Sequence, residues 1–156
     1  MFGILNPAEI EQLLSKQLIG RIGCHADGVT YVVPISYAYD GEYVYARTFE
    51  GMKINMMRKN PDVCFEVEDT KNLSNWRTVV AWGSFEELPG GDQRKEALSA
   101  LARRKLPVIS SETMQLGSQW PFSSDDENVD GVIFRIRIKE KTGRYEESLN
   151  ESSFGT

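Results

Sequence analysis

Cysteine and histidine are nearly absent. The chain has two cysteines, Cys24 and Cys64, with no Cys-x-x-Cys pair, and a single histidine, His25. Neither a zinc site nor a disulfide framework can be built from that set, so reduced, inert thiols are expected, with His25 beside the Asp27-Gly28 turn as a surface residue. No apolar run approaches the length of a membrane span, and the N-terminal MFGILNPAEIEQ has neither the basic start nor the long apolar core of a signal peptide. A cytoplasmic protein without a membrane partner is the expectation. Positive charge is the scarcer sign, 18 Lys and Arg against 23 Asp and Glu, for a net charge of -5 and a pI near 5.0. Binding to nucleic acid or anionic membrane is mostly electrostatic, so this balance argues against both, and any cation that matters must act locally. No Gly-x-Gly-x-x-Gly follows a strand pattern, which argues against a βαβ dinucleotide fold. No paired carboxylates, Ser-His-Asp set or metal cluster stands out either. Catalytic side chains are left unassigned, and any redox or group-transfer chemistry would belong to a cofactor.

What is present suits one domain. A length of 156 residues, 40% of them hydrophobic, is enough to bury a single core. Residues 1–142 are read as that domain and 143–156 as a polar, loose tail. Asn6 is an N-cap with Pro7 behind it, and Ile10, Leu13, Leu14 and Leu18 recur at helical spacing. From Gly20 the period becomes two. Two Asp-Gly pairs, Asp27-Gly28 and Asp40-Gly41, separate β-branched and aromatic runs, which predicts three successive antiparallel strands. A short helix around Lys53 to Arg58 follows, then a strand after Pro61, a polar loop over Asp69 to Asn75, and a long strand from Trp76. Asp92 is expected to cap a further helix, positions 106–130 to form a long loop, and Val132, Phe134, Ile136 and Ile138 to alternate with Ile133, Arg135, Arg137 and Lys139 along a last strand. Six antiparallel strands with three short peripheral helices fit a closed or nearly closed β-barrel, because closure removes exposed edges.

The stretch from Tyr45 to Asn60 is the strongest candidate site. A strand end carries Arg47 and Thr48, Gly51 marks a bend, and Lys53 falls in the first turn of a helix. There a cation opposes the helix dipole unless it faces an anion. Hydroxyl, helix N-terminus and cations together read as a phosphate cradle, with a solvated strand end as the plainer alternative. Pro34 is the second anomaly. A proline in the middle of a strand pattern marks an edge or bulge, or else a backbone at Val33, Pro34 and Ile35 that pairs with a flat heterocycle instead of a neighbouring strand.

The order of these motifs, a leading helix, RIGCHADGVTYVVPISYAYDGEYVYARTFEGMK, NPDVCFEVED and WRTVVAWGSFEEL, resembles the pyridoxamine 5'-phosphate oxidase-like split-barrel flavoproteins, nearest the nitroimidazole-resistance branch. The resemblance implies a six-stranded antiparallel split β-barrel, bound FMN with FAD as a possible substitute, and a homodimer with two flavin sites at its interface. By that resemblance Arg47, Thr48, Gly51 and Lys53 match the phosphate-binding loop. Val33, Pro34 and Ile35 match the strand along the flavin ring, and Arg77 and Thr78 match a pair that reaches the flavin, in many members from the partner subunit. Trp120, with Pro121 and Phe122, is a candidate lid over the ring or, equally, an aromatic anchor at the dimer interface. Nitroimidazole-resistance relatives often carry a histidine where this chain has Ala46, and the substrate-phosphate motifs of the pyridoxamine phosphate oxidases proper are not found. The implied function is a flavin-dependent oxidoreductase that takes electrons from NAD(P)H and reduces a small oxidised molecule such as a nitroaromatic or quinone. The alternatives are a non-catalytic flavin carrier or sensor, and a barrel that only mediates assembly.

Overall fold

A computed structural model of the chain describes residues 1–106 and 129–148. Helix α1 (Pro7–Lys16) starts where the sequence puts it, and for a visible reason. Asn6 Oδ1 accepts the Glu9 N–H at 2.9 Å while Glu9 Oε2 accepts the Asn6 N–H at 2.8 Å, a reciprocal cap with proline at the first helical position. Its apolar stripe, Ile10, Leu13 and Leu14, enters the main core.

The strands are β1 (Phe2–Ile4), β2 (Ile19–Ala26), β3 (Val29–Ser36), β4 (Ala38–Tyr39), β5 (Tyr43–Thr48), β6 (Asp62–Asn72), β7 (Asn75–Glu87) and β8 (Val132–Glu146), and every pairing among them is antiparallel. They run in the order β3-β2-β6-β7-β8-β5-β4, with β1 added on β8. The Asp27-Gly28 turn has both residues left-handed, φ 52° and 77°, and joins β2 to β3 as a tight hairpin. At the second turn Asp40 Oδ1 accepts the N–H groups of Glu42 and Tyr43.

Eight strands replace the expected six, and the difference locates the split. The run from Val29 to Tyr39 is not one strand. It breaks at Tyr37, so β3 lies at one end of the sheet and β4 at the other. Tyr37 is 1% exposed, its hydroxyl donates to Leu14 O at 2.6 Å, and its ring stands edge-on to Phe65 at 4.8 Å. With that side chain buried between the strands, one end of the hydrogen-bonded ladder is β3 and the other is β4. The ladder is open there, but its two end strands are joined through a single residue. The antiparallel β-architecture with short helices is thus as expected, with the sheet curled until its ends meet.

Other boundaries move as well. Asp69 to Asn75 is not a loop: β6 and β7 continue as a polar arm closed by Leu73 and Ser74. The tail expected from position 143 is strand as far as Glu146. Gly143 is needed there because a Cβ would come within 2.8 Å of Leu5 and 2.9 Å of Ile10. Helix α3 (Gly91–Ala102) is preceded by Gly90, with Asp92 inside its first turn and not at the cap. It covers the outer face of β5 and β8 in a second core of Tyr45, Leu88, Leu98, Leu101 and Ile133. Helix α2 (Met52–Lys59) buries Ile54, Met56 and Met57 in the main core.

Candidate functional site

Strand β5 ends by delivering two buried polar residues, Arg47 at 6% and Thr48 at 5% exposure. Four residues after Thr48, α2 begins. Gly51 is its N-cap, no side chain caps the turn, and no acidic residue lies in it. The positive end of the helix is left to whatever faces it. Lys53 lies in this first turn, half-buried, and its Nζ donates to Thr48 Oγ1 at 2.6 Å. Burial pushes the Lys53 ammonium below its ordinary 10.5, and the nearby Cys24 pulls in the opposite direction. Burial also raises the Cys24 thiol, which keeps it protonated and inert.

Gly51 lies in the bend with an extended backbone, φ 172°, and a Cβ there would meet nothing within 4 Å. The absent side chain leaves open space before the helix and relieves no strain. Arg47 does not stand free in the cradle. Its Nε donates to Asp130 O at 2.5 Å and its guanidinium lies 5.2 Å from the Phe49 ring. It fastens the start of β8 against the end of β5, where Gly131, φ 94°, fits only because a Cβ would come 2.6 Å from Thr48 O.

Beside this corner runs β3, with Val33 half-buried, Pro34 exposed and Ile35 buried. Strand β3 ends the sheet, so one of its sides has no neighbouring strand, and that is where a residue without an N–H is tolerated. Ser36 comes next. It is 8% exposed, and its hydroxyl has no hydrogen-bond partner among the described residues. The sequence reading passed over it, although a polar residue amid the apolar Val29 to Tyr39 run was a legible signal.

Arg77 and Thr78 are elsewhere. Thr78 Oγ1 donates to Glu66 Oε1 at 2.9 Å, and Arg77 lines a groove of about 710 Å³ with Glu9, Lys16 and Tyr145. Arg77 is opposite Tyr145 on β8, whereas Thr48 is opposite Val132, on the order of 40 Å apart along that strand at about 3.3 Å per residue. One chain does not bring the two sets together. Trp120 lies outside the described residues. Ala46 is fully buried in the main core opposite Phe134. Across the outer face of the sheet, Val32, Gly23, Cys64 and Trp82 stand in one register row, with Val32 62% and Trp82 44% exposed. Among the described residues no group of three or more His, Cys, Asp or Glu could hold a metal ion, and no helix is long and apolar enough to cross a membrane.

Known proteins share this fold. A FAD-binding protein from Mesorhizobium loti is 31% identical, with 94% of this chain and 99% of that one superposed at a TM-score of 0.71. A protein from Bacteroides thetaiotaomicron named for 5-nitroimidazole antibiotic resistance has the same fold at 18% identity and a TM-score of 0.70, over 93% of this chain and 87% of its own. An uncharacterised protein of Rhizobium meliloti is 31% identical over 86 residues, which are 55% of this chain and 57% of that one, so the chain spans just over half of that relative. The pattern of the family described as pyridoxamine 5'-phosphate oxidase matches residues 6–145, and the chain belongs to that family.

Proposed function

We propose that the chain binds a flavin and works as a flavin-dependent oxidoreductase. The observation that carries this reading is the corner where Thr48 Oγ1 and the half-buried Lys53 Nζ meet, 2.6 Å apart, at a helix start that no side chain caps. A desolvated ammonium, a hydroxyl and a helix N-terminus facing open space at Gly51 fit a phosphate. Lys53, Thr48 and the first turn of α2 would hold it, with Arg47 as the wall that fixes the corner. The free side of β3 at Val33, Pro34 and Ile35 would take the flat ring. Bound flavin supplies electron transfer, and the chain's residues anchor its phosphate, orient its ring and exclude water from it. FMN and FAD share the phosphate that this corner suits. FMN is the proposed ligand, and the likeness to the Mesorhizobium loti protein supports FAD in the same place.

The separation of Arg77 and Thr78 from Lys53 supports a homodimer. A flavin that touches both sets needs two copies, and the apolar row from Val32 to Trp82 offers a face for the second. NAD(P)H is the proposed electron donor, and a nitroaromatic such as a nitroimidazole, or a quinone, is the proposed acceptor. A second reading, a flavin carrier or sensor, draws on Ala46: it is sealed in the core where resistance relatives often carry a histidine.

The test is direct. Protein purified with FMN or FAD should be yellow, quench flavin fluorescence on titration and elute as a dimer by light scattering. Anaerobic NADH or NADPH should bleach it, and a nitroimidazole or quinone should restore the colour faster than it reoxidises free flavin. Bleaching without accelerated recolouring selects the carrier. Absence of quenching with either flavin sinks the flavin reading, and with it leaves a barrel that only mediates assembly.

A further inference from the structure

The buried polar residues are few, and they are not scattered. Among the described residues they are Ser36, Arg47, Thr48 and Arg135. Arg135 is accounted for by Glu86 at 2.6 Å and by the Tyr43 ring at 4.0 Å. Thr48 has Lys53 and Arg47 has the Asp130 carbonyl. Ser36 alone of the four is left with an unpartnered side-chain oxygen. A buried hydroxyl without a partner has lost its water and gained nothing in exchange, and alanine would fill the same space without that cost.

Its place in the fold suggests what the hydroxyl is for. Ala38 stands opposite Tyr45, and Tyr39 opposite Val44. Ser36 is two residues from Ala38 along the chain, Arg47 is two residues from Tyr45 on β5, and β3 touches β5 across the split. Ile35 and Tyr37 both enter the main core, so Ser36 between them faces away from it, and on β5 Val44 and Ala46 enter that core, which leaves Arg47 on the face of Tyr45. Ser36 thus stands between the Val33–Ile35 strand and the Arg47–Thr48 corner.

We propose that Ser36 is a further ligand-binding residue, whose hydroxyl bonds a hydroxyl of the ribityl chain. The inference rests on the flavin reading above. If the phosphate sits at Lys53 and the ring along β3, the part of the molecule between them is the ribityl chain. Its hydroxyls both donate and accept, as a serine hydroxyl does. The polar strand end is matched to the polar linker of the ligand.

Ser36→Ala tests this against three flavins: FMN, riboflavin, which keeps the ribityl chain without the phosphate, and lumiflavin, which keeps only the ring. Affinities come from fluorescence quenching, with lumiflavin also measured by displacement of FMN. The loss of one neutral hydrogen bond should weaken FMN and riboflavin alike by about fivefold and leave lumiflavin unchanged. The thermal midpoint of the unliganded variant should stay level or rise, because a buried unpaired hydroxyl has been removed. Unchanged FMN affinity overturns the proposal, and so does an equal loss for lumiflavin. A lowered unliganded midpoint also overturns it, by showing that the hydroxyl is already bonded in the free protein. If the unaltered chain binds none of the three, the flavin reading itself fails, which is a different result from a flavin-binding chain indifferent to Ser36→Ala.

Discussion

Lys53→Met separates a phosphate ligand from an ordinary surface lysine. The side chain is half-buried, donates to Thr48 Oγ1 at 2.6 Å, and sits in the first turn of a helix with no side-chain cap. A charge-assisted hydrogen bond to phosphate is worth about 1.5 to 3 kcal/mol, roughly a ten- to hundred-and-fiftyfold change in affinity. Because Lys53 keeps partial contact with solvent, screening favours the lower end, about tenfold. Methionine keeps the length and the apolar stem, so packing of α2 changes little. FMN titrated by fluorescence quenching should lose that tenfold, and riboflavin, with no phosphate, should lose nothing. The pH dependence gives an independent check with a definite sign. Burial holds the folded-state pKa of Lys53 below 10.5, so between that value and 10.5 the unfolded chain carries more protons than the folded one. Stability of the unliganded protein therefore gains from Lys53 as pH rises through that window. A bound phosphate favours the charged ammonium, so FMN affinity should fall as pH rises through the same window, and Lys53→Met should abolish the fall. Equal losses for FMN and riboflavin, or an alkaline slope that survives the substitution, would refute the phosphate corner.

Four further outcomes follow from the geometry. Gly131→Ala should destabilise by about 2 kcal/mol in urea unfolding and weaken FMN binding, because φ 94° is left-handed and the new Cβ would press to 2.6 Å from Thr48 O. Gly51→Ala should change the unfolding free energy from urea titration by less than about 0.5 kcal/mol, since φ is 172° and a methyl group meets nothing within 4 Å; a larger drop would show that the bend there requires glycine. Asn6→Ala removes half of the reciprocal cap on α1 and should cost about 1 kcal/mol by the same assay, without altering FMN affinity. In a mixture of Lys53→Met and Arg77→Ala chains, each weak on its own, heterodimers should regain one tight FMN site per pair; no recovery on mixing would place both residues in the same chain's site or leave Arg77 outside it.

The helices and hairpins were legible because their causes are local. Asn6-Pro7 with Glu9 spells a cap, and Asp27-Gly28 supplies two left-handed residues in a row, whatever surrounds them. The meeting of Thr48 and Lys53 was legible for the same reason: they are five positions apart and joined by one short bend. What escaped was decided by contacts between distant residues. Tyr37 reads as one more strand residue in an alternating run, and only the Leu14 carbonyl and the Phe65 ring that bury it show why the strand must break and change ends. Gly143 reads as the start of a loose tail, and only Leu5 and Ile10 pressing on it show that it is packed. Arg47 reads as a free cation until the Asp130 carbonyl occupies it. Arg77 and Thr78 carry the deepest version of this limit. Their motif stands in line with the others along the sequence, yet strand register sets them at the far end of β8 from Thr48. A motif's presence can be read in one chain, but whether it meets the other motifs there depends on the fold, and at Arg77 the register of β7 on β8 keeps it apart from Thr48.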